Sequence, residues 1–377
     1  MTDKLTKIRD FMSSYNDGPL DAFVIYCDDW ITPKNIADRD RYIQFLTGFS
    51  GSHGLAIVTM ENAFFICDPD FYDQVMSQLY PDWTFIVSDV SPILLKSYYR
   101  SFTMLPKGVR VGFDPKITSH TIWEFLIDFL QPKDNKLIPV SPNPVDLIWT
   151  NRPLPPMNPI TPDPCESVES FKITIKKFRD KMRKEKADYM VIPYSEEVCF
   201  LLKIQSQVNG QDVAFQGCAI ISMKTIYLFM DSSLITRELR EYLNTCVYPD
   251  GIIELWDYNS LTEFLHKLVL ESDTTKIWMD TLASKSLHDL IPTNRKLLNA
   301  NGKFKWIPAS LFITGPSHRP DKRTFSGYPL ESSFDRLMSF GSRQNKIKVI
   351  RMDFVIEEAM RKKGESILQM IQFDNIL

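Results

Sequence analysis

Gly48-Phe49-Ser50-Gly51-Ser52-His53-Gly54 brings hydroxyls, an imidazole and glycines together within seven residues. Ser52 beside His53 has the residue types of a nucleophile and its base. Adjacent side chains of an extended segment point to opposite faces, however, so the pair is a poor proton relay. The glycines and serines also suit a phosphate cradle, yet the segment has no lysine and opens no evident helix. A tight turn between strands, with backbone approaching backbone, is the simpler expectation. Paired carboxylates stand at Asp28-Asp29 and Glu196-Glu197. Their side chains diverge, so neither pair suits a shared proton or a dinuclear metal, and both read as solvated surface. The histidines are His53, His120, His266, His288 and His318, and no two lie within twenty residues of each other. Chemistry built on clustered histidines therefore has little material. Six cysteines are dispersed without a CxxC pair, which favours buried reduced thiols over a zinc or disulfide framework. The basic run from Lys172 to Lys186 alternates with Ile173, Ile175, Phe178 and Met182 at near-helical spacing. It reads as the solvated face of an amphipathic helix, with an acidic partner surface as the alternative.

The elements that must position these groups follow from apolar spacing. Leu5, Ile8, Phe11 and Met12 mark a helix. Ala22–Tyr26, Leu55–Thr59, Ala63–Cys67, Thr84–Val87 and Val109–Phe113 read as strands, and Tyr72–Leu79 and Ser119–Leu130 as helices, the latter capped by Ser119. Nine prolines fall within residues 139–164, which makes that stretch a stiff extended connector and a domain boundary. Val145, Leu147, Ile148 and Trp149 anchor it by packing. After the connector the order of elements repeats. A helix over Ser167–Lys186 comes first. Asp188–Ile192 matches Asp21–Ile25, and Gly217–Asp231 matches Gly54–Asp68 without a gap at an offset of 163. Ile277–Asp280 matches Val111–Asp114, and Ile307-Pro308 matches Ile138-Pro139. Two α/β domains of one fold explain this with fewest assumptions. From Gly315 to Ser342 the sequence reads as loop, and Ile347–Lys363 has helix-like spacing. The expected organisation is a first domain over 1–150, a connector over 151–166, a second domain over 167–313, and a tail over 314–377 packed on the second domain.

The chain has 377 residues, 44% hydrophobic and 24% charged, which is enough to bury a sizeable core and excludes wholesale disorder. A formal charge of −3 gives no global basic field, so no nucleic-acid or membrane partner is expected. The amino terminus lacks the apolar core of a secretory signal, and no run is long enough for a membrane span, so a cytoplasmic setting is expected.

Phe45-x-Thr47-Gly48-Phe49-x-Gly51-Ser52-x-Gly54 resembles the first domain of aminopeptidase P, in the creatinase/prolidase superfamily. Asp68 falls where that family has Thr-Asp-Gly-Arg-Tyr. The strand ending in Asp114-Pro115 fits as well. Asp146-x-x-Trp149-x-x-Arg152-Pro153 is close to the Asp-x-Ile-Trp-x-x-Arg-Pro element of the three-domain members. The resemblance spans about residues 5–312 and implies two creatinase N-terminal-like domains, each a mixed sheet flanked by helices. It also implies that Gly48, Phe49, Gly51, Ser52, Gly54, Asp68, Asp114, Pro115, Asp146, Trp149, Arg152 and Pro153 are structural positions.

In the family, catalysis belongs to a third domain of pita-bread fold, which binds two Mn or Zn ions through Asp, Asp, His, Glu and Glu. None of those motifs can be placed on residues 314–377, whose sole histidine is His318. No catalytic, cofactor-binding or metal-binding residue is therefore expected in this chain. Site-facing positions of the amino-terminal domains also differ. Ile31, Lys34 and Asn35 follow Asp29 where the family carries His, Glu and Tyr. Lys203-Ile204-Gln205-Ser206-Gln207-Val208 replaces Asn-Leu-Arg-Gly-x-Asp, and Asp212-Val213 replaces Asn-Pro. The expectation is a truncated, catalytically silent relative that binds a peptide or protein or regulates a full-length relative. The alternative is the amino-terminal portion of a proline-specific metalloaminopeptidase.

Overall fold

In the computed structural model, residues 2–27, 37–52, 54–88, 101–208, 211–212, 215–247, 251–299 and 348–351 are described. Apolar runs without polar interruption form strands buried on both faces, as sheets covered by helices on each side require. In the first half these are β1 (Ala22–Cys27), β2 (Gly54–Thr59), β3 (Ala63–Cys67), β4 (Thr84–Val87), β5 (Arg110–Phe113) and β6 (Lys136–Pro139). β1 pairs antiparallel with β2, and β2 with β3, while β3–β4, β1–β5 and β5–β6 are parallel.

The connector contributes a short strand, β7 (Ile160–Pro162). The second half then holds β8 (Tyr189–Ile192), β9 (Ile204–Val208), β10 (Gln211–Asp212), β11 (Gly217–Ile221), β12 (Thr225–Met230), β13 (Ile252–Trp256), β14 (Ile277–Asp280) and β15 (Lys296–Asn299). Its six-stranded sheet runs β13-β12-β11-β8-β14-β15. Order and direction repeat β4-β3-β2-β1-β5-β6 of the first sheet. Even the turns correspond: Thr59 N donates to Asn62 O at 2.8 Å, and Ser222 N to Thr225 O at 2.8 Å. The repeat read from the sequence is thus a repeat of fold.

Helices cover both faces of each sheet. Thr2–Ser13 buries Leu5, Ile8 and Met12, and Val168–Glu185 buries Phe171, Ile175, Phe178 and Met182. Lys172, Lys176, Lys177, Arg183 and Lys184 face solvent on the latter helix, as the amphipathic reading has it, but Ile173 is exposed too. His120–Leu130 covers the other face of the first sheet with Ile122, Trp123, Leu126 and Leu130. Leu261–Glu271 does the same for the second with Leu261, Leu265 and Leu268. Ser119 does cap its helix, its Oγ accepting from Ile122 N at 3.3 Å.

Four expectations need correction. Lys348–Arg351, expected in a helix, is a strand (β16) parallel to β4. Val349 and Ile350 are β-branched, and β4 offers an unpaired sheet edge, so pairing outweighs helical spacing there. That piece of the tail therefore joins the first sheet instead of the second half; residues 352–377 lie outside the described residues. The strand equivalent to β6 is β15, whereas Ile307-Pro308 lies outside the described residues. The proline-rich stretch is not extended throughout, because Pro144–Ile148 is a helix with Asn143 as its cap, whereas β7 is extended and pairs antiparallel with β9 through Ile160↔Ser206. Glu197 is not solvated surface: it is 2% exposed, on the side of the helix Ser195–Leu202 that also buries Val198, Leu201 and Leu202. Among the anchors, Val145 and Trp149 are buried and Leu147 is exposed.

The halves meet at equivalent points. Ser119 and Ser284, each the cap of the helix that follows the fifth strand of its sheet, form an antiparallel bridge. Across this seam His120 N donates to Ala283 O, Thr121 N to Thr281 O, Lys285 N to Thr118 O and Ser286 N to Pro115 O, all at 2.8–2.9 Å.

Candidate functional site

A cleft with a cavity of about 390 Å³ opens between the two halves. The first half contributes Tyr26, residues 39–44 and Phe49–Ser52 to its wall, together with Lys116 and Ser119. The second half contributes Tyr194, Ser195, Phe215, Tyr258 and Ser284, and the connector adds Pro156. Cavities of this size at domain junctions are the usual place for a ligand.

The Gly48–Gly54 turn shapes the floor. Gly48 closes the helix Tyr42–Thr47 at φ +85°, and a Cβ there would stand 2.6 Å from the backbone oxygen of Gln78. Replacing Gly48 by alanine is expected to lower stability by ~1–2 kcal/mol or more, since it adds backbone overlap to left-handed strain. Urea unfolding checks this, and an unchanged midpoint would contradict it. A Cβ on Gly51 would meet the Phe49 ring at 2.1 Å, and one on Gly54 the Phe65 ring at 2.6 Å. Phe49 is buried, 5.0 Å from Phe65 between ring centres. Gln78 Oε1 accepts from Ser50 N at 2.9 Å and from Ser50 Oγ at 3.1 Å. The turn is therefore a packed structural corner, but it joins the helix Tyr42–Thr47 to β2 and not two strands as expected. Ser52 reaches the cleft wall, while His53, like Asp28 and Asp29, lies outside the described residues.

Arg152 ties down the wall. Its Nε donates to Arg39 O at 2.7 Å, and its Nη2 to Tyr42 Oη at 2.7 Å and Asp40 Oδ1 at 3.1 Å. Its Nη1 donates to Asp146, which also accepts from Tyr42 Oη at 2.9 Å. The guanidinium lies 4.9 Å from the Tyr42 ring, and Trp149 stacks on Phe45 at 4.4 Å. Asp146, Trp149 and Arg152 thus form one clasp over residues 39–45, and Pro153 beyond it is exposed. Burial holds the Asp40 carboxyl above its ordinary range, opposed by the Arg152 and Arg39 charges. Burial, then the Asp146 charge, raise the Tyr42 phenol. Tyr42 is neutral, donating to Asp146 and accepting from Arg152.

The other expected positions serve the frame. Asp68 accepts from Ser88 Oγ at 2.7 Å. Asp114 accepts from Lys116 N at 2.7 Å and Asn143 Nδ2 at 2.9 Å, and burial raises its carboxyl against those bonds. Pro115 supplies a carbonyl to the seam. Lys203, in a left-handed conformation, pairs with Glu166 at 3.1 Å, and Gln205 and Ser206 lie in the β7–β9 ladder. Sequence reading missed Arg39, Arg41, Tyr42, Lys116, Tyr194 and Tyr258. The alternating charges of Asp38-Arg39-Asp40-Arg41 were the available signal for the first of these. The residues do not fit a metal centre: among those described, no three His, Cys, Asp or Glu side chains converge on a possible ion site.

Sequence models of the Creatinase/Prolidase N-terminal domain match residues 4–152 and again 151–306. The chain belongs to the aminopeptidase P family of the creatinase/prolidase superfamily. A probable Xaa-Pro aminopeptidase P of Coprinopsis cinerea is 28% identical over 292 residues, 76% of this chain and 46% of that protein. Xaa-Pro aminopeptidase 2 of Sus scrofa is 27% identical over 299 residues, 78% of this chain and 43% of its own length. The crystal structure of X-prolyl aminopeptidase from Caenorhabditis elegans superposes with a TM-score of 0.68 at 19% identity. That match covers 79% of this chain and 49% of the other. The chain thus spans about half the length of the aminopeptidase P relatives it matches. Among the described residues, no helix of this family member is long and apolar enough to cross a membrane.

Proposed function

We propose that this aminopeptidase-P-like chain is a binding and scaffold module that takes up a peptide between its halves without cleaving it. The observation that carries this reading is the cleft wall. It is aromatic and cationic, and its carboxylate and its Tyr42 phenol are both engaged by Arg152. Positions that face the family's active site are drawn into the small sheet instead, with Lys203 held by Glu166. The chain then needs no metal of its own. A full-length aminopeptidase P relative is a suitable partner for mixed association. Burial of Cys67, Cys218 and Cys246 and the cytosolic origin of the Caenorhabditis elegans neighbour support a cytoplasmic setting.

Incubation of the purified chain with an Xaa-Pro peptide and Mn²⁺ tests the proposal. No release of the first residue is expected. Turnover near the ordinary enzyme range of roughly 1 s⁻¹ or above would overturn it. One observation favours a second reading, the amino-terminal part of a proline-specific metalloaminopeptidase: the matched relatives are about twice as long as the matched segment. A downstream reading frame with the family's metal-ligand motifs, joined to this chain in the transcript, would establish that one.

A further inference from the structure

The cleft has a polarity that the repeat of the fold does not demand. Its first-half wall carries Arg39, Arg41 and Lys116. Its second-half wall carries Tyr194, Ser195, Phe215, Gln216, Tyr258 and Leu282, with no charged side chain among the described residues. Among the described residues the sole acid on the wall, Asp40, is already paired, 3.1 Å from Arg152 and 3.9 Å from Arg39. The cations are less committed. Arg39 Nε is buried without a hydrogen-bond acceptor. Arg41 pairs at 3.1 Å with Asp38, whose side chain is 82% exposed, so solvent screens that attraction. Lys116 is exposed and has no ion-pair partner among the described residues. Lys116 and Ile117 are both exposed wall residues, so the cavity opens to solvent beside a cation.

A ligand matching these walls has an anionic end and an apolar body. Building on the reading above, we propose that the cleft binds the free carboxylate end of a peptide. The carboxylate lies among Arg39, Arg41 and Lys116, and an apolar side chain lies against Tyr194, Phe215 and Tyr258. One observation favours a carboxylate over a phosphate: the glycine turn of the wall leads into β2, not into a helix terminus that would cradle a phosphate. The tyrosines on the apolar wall stay neutral at physiological pH: burial pushes Tyr258 up to about 12 and Tyr194 well above its ordinary value. They therefore add no repulsion to an anion.

Calorimetric titration of the full chain with acetyl-Phe-Ala-Phe, as the free acid and as the carboxamide, tests this. The acid is expected to bind about tenfold or more tightly than the amide, equivalent to one charge-assisted contact of ~1.4 kcal/mol. Lys116→Glu, at an exposed position, should remove most of that difference while leaving the thermal midpoint unchanged. Equal binding of acid and amide overturns the proposal, and so does no binding of either, or tighter binding of inorganic phosphate than of the acid. Peptide turnover with Mn²⁺ would refute the non-catalytic reading without altering the acid-to-amide ratio. The two failures are therefore distinguishable.

Discussion

Arg152→Ala is expected to lower the stability of the first half by about 2–3 kcal/mol, the sum of several charge-assisted bonds discounted for partial exposure. The guanidinium serves four acceptors on two segments: Arg39 O, Asp40 and Tyr42 on one and Asp146 on the other. No single pair is worth much, because the Asp40 and Asp146 side chains are 43% and 37% exposed. The network gains from being planar and shared, since one rigid fork orders groups that would otherwise be free. Its removal leaves Asp40 with an elevated carboxyl and no close cation except Arg39 at 3.9 Å. Arg152→Lys should recover less than half of the loss, because an ammonium cannot present parallel donors to Asp146, Asp40 and the Arg39 carbonyl together. Urea unfolding of wild type and both variants measures this. A loss under about 0.5 kcal/mol for alanine would mean that the clasp is an ordinary surface ion pair. A lysine variant equal to wild type would deny the fork geometry.

How far the sequence reveals this site depends on the range of the interaction. Asp146, Trp149 and Arg152 are legible as a spaced motif, because one short helix and the turn after it hold them at fixed offsets. Their targets Asp40 and Tyr42 lie more than a hundred residues away along the chain. No periodicity links them, and only the fold brings them together. The strands were legible for the opposite reason. Ile57, Phe65 and Ile220 belong to runs buried on both faces, and that burial writes an unbroken apolar stretch into the chain. The repeat made the second sheet legible from the first. Parallel pairing at a sheet edge leaves no comparable trace, which is why Lys348–Arg351 read as helix. The burial of Glu197 is also a tertiary effect, because a helix of eight residues over β11 hides one side whatever its composition. The cleft cations were the least legible. Arg39, Arg41 and Lys116 are commonplace in a polar stretch, and they acquire a shared direction only when the halves close on one another.

The seam between the halves carries the second large prediction, a loss of stability in mild acid. His120 and His288, one from each half, stack with ring centres 4.3 Å apart at 20°. His288 is fully buried, with Nε2 2.9 Å from Asp280 O, and the Nδ1 atoms of both rings are buried without a hydrogen-bond partner. Glu124 approaches His120 Nδ1 to 3.7 Å, and Asp289 also favours the charged form, while Lys285 and Lys296 oppose it. Burial dominates: it holds His120 below its ordinary range and drives His288 down to about 4. The His288 ring is therefore neutral in the folded protein at pH 6, whereas in the unfolded chain it takes up a proton from about pH 6.5 downwards. The unfolded state binds more protons in that window, so stability is full above it and falls as the pH drops from about 6.5 toward 4. For His288 alone the shift corresponds to something on the order of 3 kcal/mol across the window. Unfolding carboxylates contribute near pH 4, so the diagnostic interval is pH 6.5 to 5, where they are already ionised. His288→Phe keeps the stacked ring and removes the proton site. It should flatten the stability profile in that interval, at the expense of a constant offset from the lost bond to Asp280. Urea midpoints measured every half unit of pH decide the matter. Parallel profiles for wild type and variant would show that His288 does not sense protons, and profiles that converge as the pH falls would assign the acid sensitivity to this ring.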